Sequence, residues 1–147
     1  MDAGVPLYAG TKIVAYIAVV YAGYRFLSPS AAHPATSSVL VGLARFVMGL
    51  GFGLVIWLAS SRLIVSLSGF PLRSVITYVA VYVPIRWVEW SLIAVVIVPA
   101  ARSWKGLLVG TGRADRSWRL AGIVVSCAAD IPFMLNVGGL PVGRFFC

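Results

Sequence analysis

Residues 75–99 read VITYVAVYVPIRWVEWSLIAVVIVP, a run long enough to cross a bilayer as a single helix. A transmembrane helix takes about 20 apolar residues. Two charged residues, Arg86 and Glu89, nevertheless stand near the middle of the run. A charge at that depth costs about 2.5–3.5 kcal/mol on insertion scales. The run is therefore predicted to form an inner helix of a bundle, where neighbouring segments shield its polar side chains from lipid.

The composition of the whole chain also indicates a membrane protein. Of its 147 residues, 61% are hydrophobic and 11% are charged, whereas a soluble domain carries about 25% charged residues. The net charge of +8 comes mostly from Arg and Lys at helix ends and in one loop. Such a distribution is typical of contact with lipid headgroups, and we assign no nucleic-acid partner to it.

Four apolar segments alternate with polar or proline-containing stretches, and together they predict an all-α fold. The expected architecture is a polytopic membrane bundle of four transmembrane helices with short loops, in a single integral membrane domain that covers residues 1–147. The four helices are predicted over residues 6–27, 39–60, 75–99 and 118–137.

The distribution of basic residues predicts an orientation for these helices. Loops 28–38 and 101–117 fall on the same side of the bundle, and this side collects more Arg and Lys than the other. The positive-inside rule then places both loops in the cytoplasm and both termini outside. The expected location is the cell (inner) membrane.

Charged residues on three different segments define the predicted site, an intramembrane polar cluster. Counted from the loop side at 1.5 Å per residue, all of them lie roughly 10 to 20 Å deep. Glu89 follows Arg86 by three positions, which is close enough for the two to pair on one helix. The predicted cluster consists of Arg45, Arg86, Glu89 and Asp130.

Other polar residues share helix faces with the cluster or lie at the end of the fourth segment, and they are predicted to line a pathway through the bundle. These lining residues are Tyr78, Tyr82, Ser126 and Asn136. Pro84 and Pro132 remove backbone hydrogen bonds and are expected to kink or loosen the helices near the charged residues.

Small residues predict where helices approach each other. Gly42, Gly49 and Gly53 fall on one stripe of the second segment, and such stripes allow close helix packing or contact between subunits. Lys12 lies near the end of the first segment. Its long side chain is expected to extend to the interface.

The chemistry of the cluster leaves three functional hypotheses open. The first is a structural or accessory membrane subunit, in which ion pairs set how the helices pack. The second is a proton, ion or small-solute pathway, which the intramembrane carboxylates would serve. The third is a membrane-embedded lipid-modifying enzyme, in which paired carboxylates act as acid and base.

Sequence motifs do not favour the enzyme hypothesis. The chain has no HExxH or GxSxG motif and no spacing typical of metal ligands, so we predict no catalytic residue, metal site or cofactor. The expected partners are the lipid bilayer, with anionic headgroups at the basic loop, and further subunits in a homo-oligomer or larger membrane complex.

Overall fold

The computed structural model describes residues 4–69 and 72–137, and the regular structure in these ranges is entirely helical. A π-helical turn, Tyr78–Tyr82, joins the third and fourth helices, and a 3₁₀ turn, Pro99–Arg102, follows the fourth. The α-helices are α1 (Gly4–Leu27), α2 (Pro34–Ser66), α3 (Arg73–Thr77), α4 (Val83–Ile97), α5 (Trp104–Val109), α6 (Arg113–Ala128) and α7 (Ile131–Val137).

Three helical segments are long and apolar enough to cross a membrane. They are Pro6–Leu27, Pro34–Ser66 and Arg73–Ile97, and each overlaps one of the first three predicted segments. The third ends at Ile97, two residues before the predicted end at 99. Many large apolar side chains on these helices are exposed at the surface of the chain, among them Leu40, Val47 and Val96. An apolar exterior suits lipid contact, and the fold is therefore that of an all-helical membrane protein.

Helix α2 is longer at both ends than the sequence predicted. It begins at Pro34 and ends at Ser66, giving 33 residues, whereas the prediction ran from 39 to 60. Proline is well tolerated in the first turn of a helix, because the N–H that it lacks has no intrahelical partner there. The composition of the small polar residues after Pro34 favours a loop, but none of these residues interrupts a helix.

The third segment is irregular immediately before its proline. The backbone widens into the π-helical turn Tyr78–Tyr82 and returns to regular α-helix at Val83. Pro84 has no N–H to offer the carbonyl of Ala80, and a helix accommodates such a loss by a local change of hydrogen-bond pattern. The irregularity that the sequence predicts near Pro84 is therefore a π-helical turn.

The fourth predicted segment is divided into two helices. Helix α6 ends at Ala128, Ala129 and Asp130 form a turn, and α7 begins at Ile131. Pro132 stands in the first turn of α7, where its missing N–H interrupts no intrahelical bond. Neither half alone has the length that a crossing needs.

Aromatic rings and glycines form the centre of the molecule. The Trp90 ring is fully buried and lies edge-on to the rings of Tyr16 and Trp118, with centroid distances of 6.0 and 5.3 Å. Gly122 on α6 faces the Trp90 ring so closely that a Cβ there would lie 2.5 Å from it, and Gly23 on α1 faces Trp118 in the same way at 2.8 Å. Helices α1, α4 and α6 thus pack closely where a ring meets a glycine.

Candidate functional site

Asp130 is the centre of the largest polar group inside the bundle. Its Oδ1 lies 2.7 Å from Lys12 Nζ and its Oδ2 lies 2.7 Å from Arg86 Nη2. The hydroxyl of Tyr8 donates to Oδ1 and that of Tyr78 donates to Oδ2, both at 3.2 Å. Each carboxylate oxygen therefore faces one cation and one phenol. We call these five residues the Asp130 centre.

A second ion pair links α2 to α4. Arg45 Nη2 donates to Glu89 Oε2, and both side chains are almost fully buried. The Arg45 guanidinium also lies over the rings of Tyr16, at 4.7 Å, and Trp90, at 5.4 Å. Cation–π contacts of this kind stabilise a desolvated guanidinium. We call Arg45 and Glu89 the Glu89 centre.

Tyr16 connects the two centres. Its ring lies beneath Arg45, and its hydroxyl accepts a hydrogen bond from Arg86 Nη1 at 3.5 Å. The four residues of the predicted cluster thus lie within one buried network, although the partners differ from those that the sequence predicted.

The predicted pairing of Arg86 with Glu89 is replaced by pairing between helices. Arg86 reaches Asp130 and Glu89 reaches Arg45. Within residues 4–69 and 72–137 no ion pair joins Arg86 to Glu89. Because three residues on a helix correspond to about 300° of rotation, the two side chains diverge by about 60° and meet different neighbouring helices.

The prediction for Lys12 was wrong. Its side chain is only 2% exposed and its ammonium group faces Asp130, so it does not extend to the interface. The spacing of Tyr8, Lys12 and Tyr16 contains the signal for this arrangement. Residues four positions apart lie on one helix face, and all three side chains on this face are buried.

A third centre lies nearer the loops, and sequence reasoning missed it. Arg119 donates from Nε to Asp115 Oδ1 and from Nη2 to Asp115 Oδ2, both at 2.8 Å. It also donates to Ser91 Oγ, at 2.7 Å, and to the carbonyls of Gly106 and Leu107. All five N–H groups of the guanidinium are used, which is the full capacity of an arginine. We call Ser91, Asp115 and Arg119 the Arg119 centre.

Asp115 is held in its charged form by these contacts. Burial raises its pKa, but hydrogen bonds from Arg119 and from Thr111 outweigh burial, and the pKa is lowered from its usual value. The Thr111 backbone N–H donates to Oδ2 at 2.7 Å. The sequence signal was the spacing of Asp115 and Arg119, since an acid four residues before an arginine favours a pair on a helix.

Helix α4 carries a residue of every centre. Arg86, Glu89 and Ser91 follow one another within five positions, which correspond to roughly 8 Å along the helix axis. The three centres are therefore successive layers of one polar column inside the bundle, with α4 as their common element.

The two deeper layers do not balance in charge. Lys12, Arg45 and Arg86 supply three positive charges, and Glu89 and Asp130 supply two negative ones. Arg45 Nε, Arg45 Nη1 and Arg86 Nε have no hydrogen-bond partner in the part of the chain that the structure describes. Unpaired charge is costly in a medium of low dielectric constant, so the carboxylates are the scarce partners in this column.

The residues predicted to line a pathway lie in different parts of the bundle. Tyr78 donates to Asp130, and the fully buried Tyr82 stacks on Tyr78 with ring centroids 4.5 Å apart. Ser126 accepts a hydrogen bond from Trp90 Nε1 at 3.1 Å and lies in the aromatic core. Asn136 belongs to α7, but its side chain lies outside the described residues.

The glycine stripe on α2 lies mainly inside the chain. A Cβ on Gly42 would lie 2.7 Å from Ile17 Cγ1 of α1, and one on Gly49 would lie 3.1 Å from Arg45 Nη1. Gly53 is buried as well. Gly42 therefore serves the packing of α2 on α1, and Gly49 leaves room for the arginine of the Glu89 centre.

No metal-binding arrangement is found among the described residues, where no three His, Cys, Asp or Glu side chains come together. The chemistry of the column is that of ion pairs, phenol hydroxyls and hydrogen bonds. No family model, curated protein or solved structure matches the chain.

Proposed function

We propose that the chain is a structural or accessory membrane subunit whose four segments are held in register by its buried ion pairs. The fourth crossing in this proposal runs from Trp118 in α6 to the end of α7, so Asp115 lies before it on the loop side. Its support is the way this pair follows α1. Trp118 Nε1 donates to the carbonyl of Val19, and twelve residues later Asp130 contacts Lys12 and Tyr8. Such a path is antiparallel to α1 along most of its length.

The observation that supports the proposal is that the ion pairs between helices are buried. Arg45 and Asp130 have no exposed surface, and Glu89 and Lys12 are only 1% and 2% exposed. Breaking a buried pair leaves an uncompensated charge and costs about 3–5 kcal/mol. Pairs between α2 and α4, and between the turn at Asp130 and both α1 and α4, would therefore penalise any shift of one helix along another.

The test compares stability with transport after purified protein has been reconstituted in liposomes. Glu89→Gln keeps the shape of the side chain and removes its charge. We expect this variant to lower the thermal stability of the protein and the wild type to conduct no protons. Proton flux by the wild type that is abolished in Glu89→Gln would refute the structural role.

A proton or ion pathway is the second candidate, and two backbone features favour it. The helix break at Asp130 and the π-helical turn that holds Tyr78 meet at the Asp130 centre. Broken helices and π-helical turns at membrane depth often mark functional sites. Asp130→Asn would then abolish flux at a temperature where the variant remains folded.

Location and orientation belong to the same proposal. The loops before α2 and before α6 would face the cytoplasm of a cell membrane. Lys12, a cation of the first segment on the side opposite the loops, is paired with Asp130 inside the bundle and does not add to the charge of that side. Among residues 4–69 and 72–137, the exposed cations on the loop side are Arg25, Arg102, Lys105, Arg113 and Arg116, and those on the opposite side are Arg62 and Arg73.

A further inference from the structure

The short helix α5 is fixed to the loop-side end of the bundle through its backbone. The guanidinium of Arg119 donates to the carbonyls of Gly106 and Leu107, at 2.8 and 2.9 Å. Trp87 Nε1 donates to the carbonyl of Leu108, also at 2.9 Å. Gly106 approaches the preceding turn so closely that a Cβ would lie 2.8 Å from the Ala100 carbonyl oxygen. The position of α5 is thus set by groups of the bundle.

This attachment leaves the large apolar side chains of α5 outside. Trp104 is 79% exposed and Leu108 is 62% exposed. Tryptophan is enriched where the hydrocarbon layer meets the headgroups, because its ring is apolar and its N–H is polar. A short apolar surface at the end of a membrane bundle is therefore suited to the boundary of a leaflet.

An open groove lies beside these apolar side chains. It has a volume of about 300 Å³, and it is lined by Ala100, Ser103, Lys105, Gly106, Gly110 and Thr111. Lys105 and the neighbouring Arg102 are both exposed. The nearby carboxylate of Asp115 is already occupied by Arg119 and Thr111, so it leaves the exposed cations without a partner.

We propose that this groove binds the headgroup phosphate of an anionic phospholipid in the loop-side leaflet. Lys105 pairs with the phosphate, and Trp104 and Leu108 enter the acyl boundary next to it. Charge complementarity selects the lipid, because a zwitterionic headgroup offsets its phosphate with its own cation, whereas an anionic headgroup leaves the phosphate charge for the ammonium group. The proposal depends on the membrane placement proposed above and adds a specific lipid class and binding residues to it.

The experiment measures lipid retention on the full-length, delipidated protein by native mass spectrometry. Phosphatidylglycerol and phosphatidylcholine of equal chain length are the two probes. We expect phosphatidylglycerol to bind more tightly, and Lys105→Gln to weaken it about fivefold, as expected from ~1 kcal/mol per basic residue at an anionic surface. Trp104→Ala should weaken both lipids, because it removes an apolar contact and leaves the charge unchanged.

Arg62→Gln is the matched control, because it also removes one exposed positive charge. Arg62 lies near the C-terminal end of α2, on the side of the bundle opposite α5. This variant should leave the preference for phosphatidylglycerol unchanged. Equal binding of the two lipids, or equal losses in Lys105→Gln and Arg62→Gln, would overturn the proposal. Displacement of the lipid by an equal concentration of inorganic phosphate would also overturn it, since the site would then bind free phosphate.

These outcomes are separate from those that concern the ion-pair column. The thermal stability of each variant in phosphatidylcholine nanodiscs shows whether the bundle is intact. A stable bundle without lipid preference contradicts the headgroup site alone, whereas ion-pair variants that leave stability unchanged contradict the structural role.

Discussion

Asp130 shows how a single side chain connects three parts of the membrane domain. Its carboxylate accepts hydrogen bonds from α1 and from the π-helical turn, and it forms ion pairs with cations of α1 and α4. Lys12 is one of three buried cations that share two carboxylates in the deeper layers. Because the deeper layers hold more cations than carboxylates, the loss of an acid and the loss of a base should change stability by different amounts.

Removal of the acid should be far more harmful than removal of the base. Asp130→Asn leaves three buried cations with one carboxylate, and we expect the free energy of unfolding to fall by about 3–5 kcal/mol. Lys12→Met leaves two cations and two carboxylates, and its cost should be much smaller. Chemical unfolding in detergent micelles measures both. The double variant should recover part of the loss in Asp130→Asn, and equal losses in the two single variants would contradict this charge balance.

Asp115 should make stability depend on pH in the acid range. Its folded-state pKa is lowered, so its contribution is complete above the unfolded pKa of about 3.9 and is lost as pH falls through the folded value. Thermal unfolding of the wild type and of Asp115→Asn should therefore differ by a constant amount at neutral pH. The difference should shrink below about pH 4. A difference that grows with acidity would contradict the assignment.

The helices of the core approach each other closely where glycine meets tryptophan. Gly122 admits the Trp90 ring, and Gly23 admits the Trp118 ring. Each ring also makes a hydrogen bond, from Trp90 to Ser126 and from Trp118 to the carbonyl of Val19. The rings are thereby held in place and cannot easily move away from an added methyl group.

A methyl group at Gly122 should therefore destabilise the bundle. The new Cβ of Gly122→Ala would lie 2.5 Å from the Trp90 ring, and overpacking of this kind costs about 1–3 kcal/mol. Gly51→Ala is the control, because nothing lies within 4 Å of its Cβ position. It should be neutral or stabilising by up to about 1 kcal/mol, since alanine favours the helix. Equal thermal stabilities for the two variants would contradict this role of the glycine.

Some features of these helices follow from the sequence alone, and others depend on the assembled fold. Hydrophobic length predicted the first three segments, because a bilayer crossing requires a long apolar run whatever its neighbours are. Partner choice at Arg86 and Glu89 was wrong, because it depends on which helices lie beside α4. The break at Asp130 was likewise missed as a helix boundary, since a carboxylate with partners on three sides is a property of the assembled fold.

For the whole molecule, the path of the fourth segment determines on which side the C-terminus lies. The proposed crossing by α6 and α7 puts it on the side of Ser68, opposite Ser30. The test uses a membrane-impermeant maleimide on Ser30→Cys and Ser68→Cys, in a background where Cys127 and Cys147 are serine. A C-terminal tag should be accessible from the side where Ser68→Cys reacts. Accessibility from the Ser30 side would mean that the fourth segment does not cross.

The order of Lys12, Arg86 and Asp130 along the chain has a consequence for biogenesis. Lys12 and Arg86 precede their shared counter-ion by 118 and 44 residues, so both are synthesised well before it. During translation neither cation can form its ion pair until Asp130 has been made. A nascent chain that stops before Asp130 therefore retains three cations of the two deeper layers with Glu89 as their one carboxylate partner.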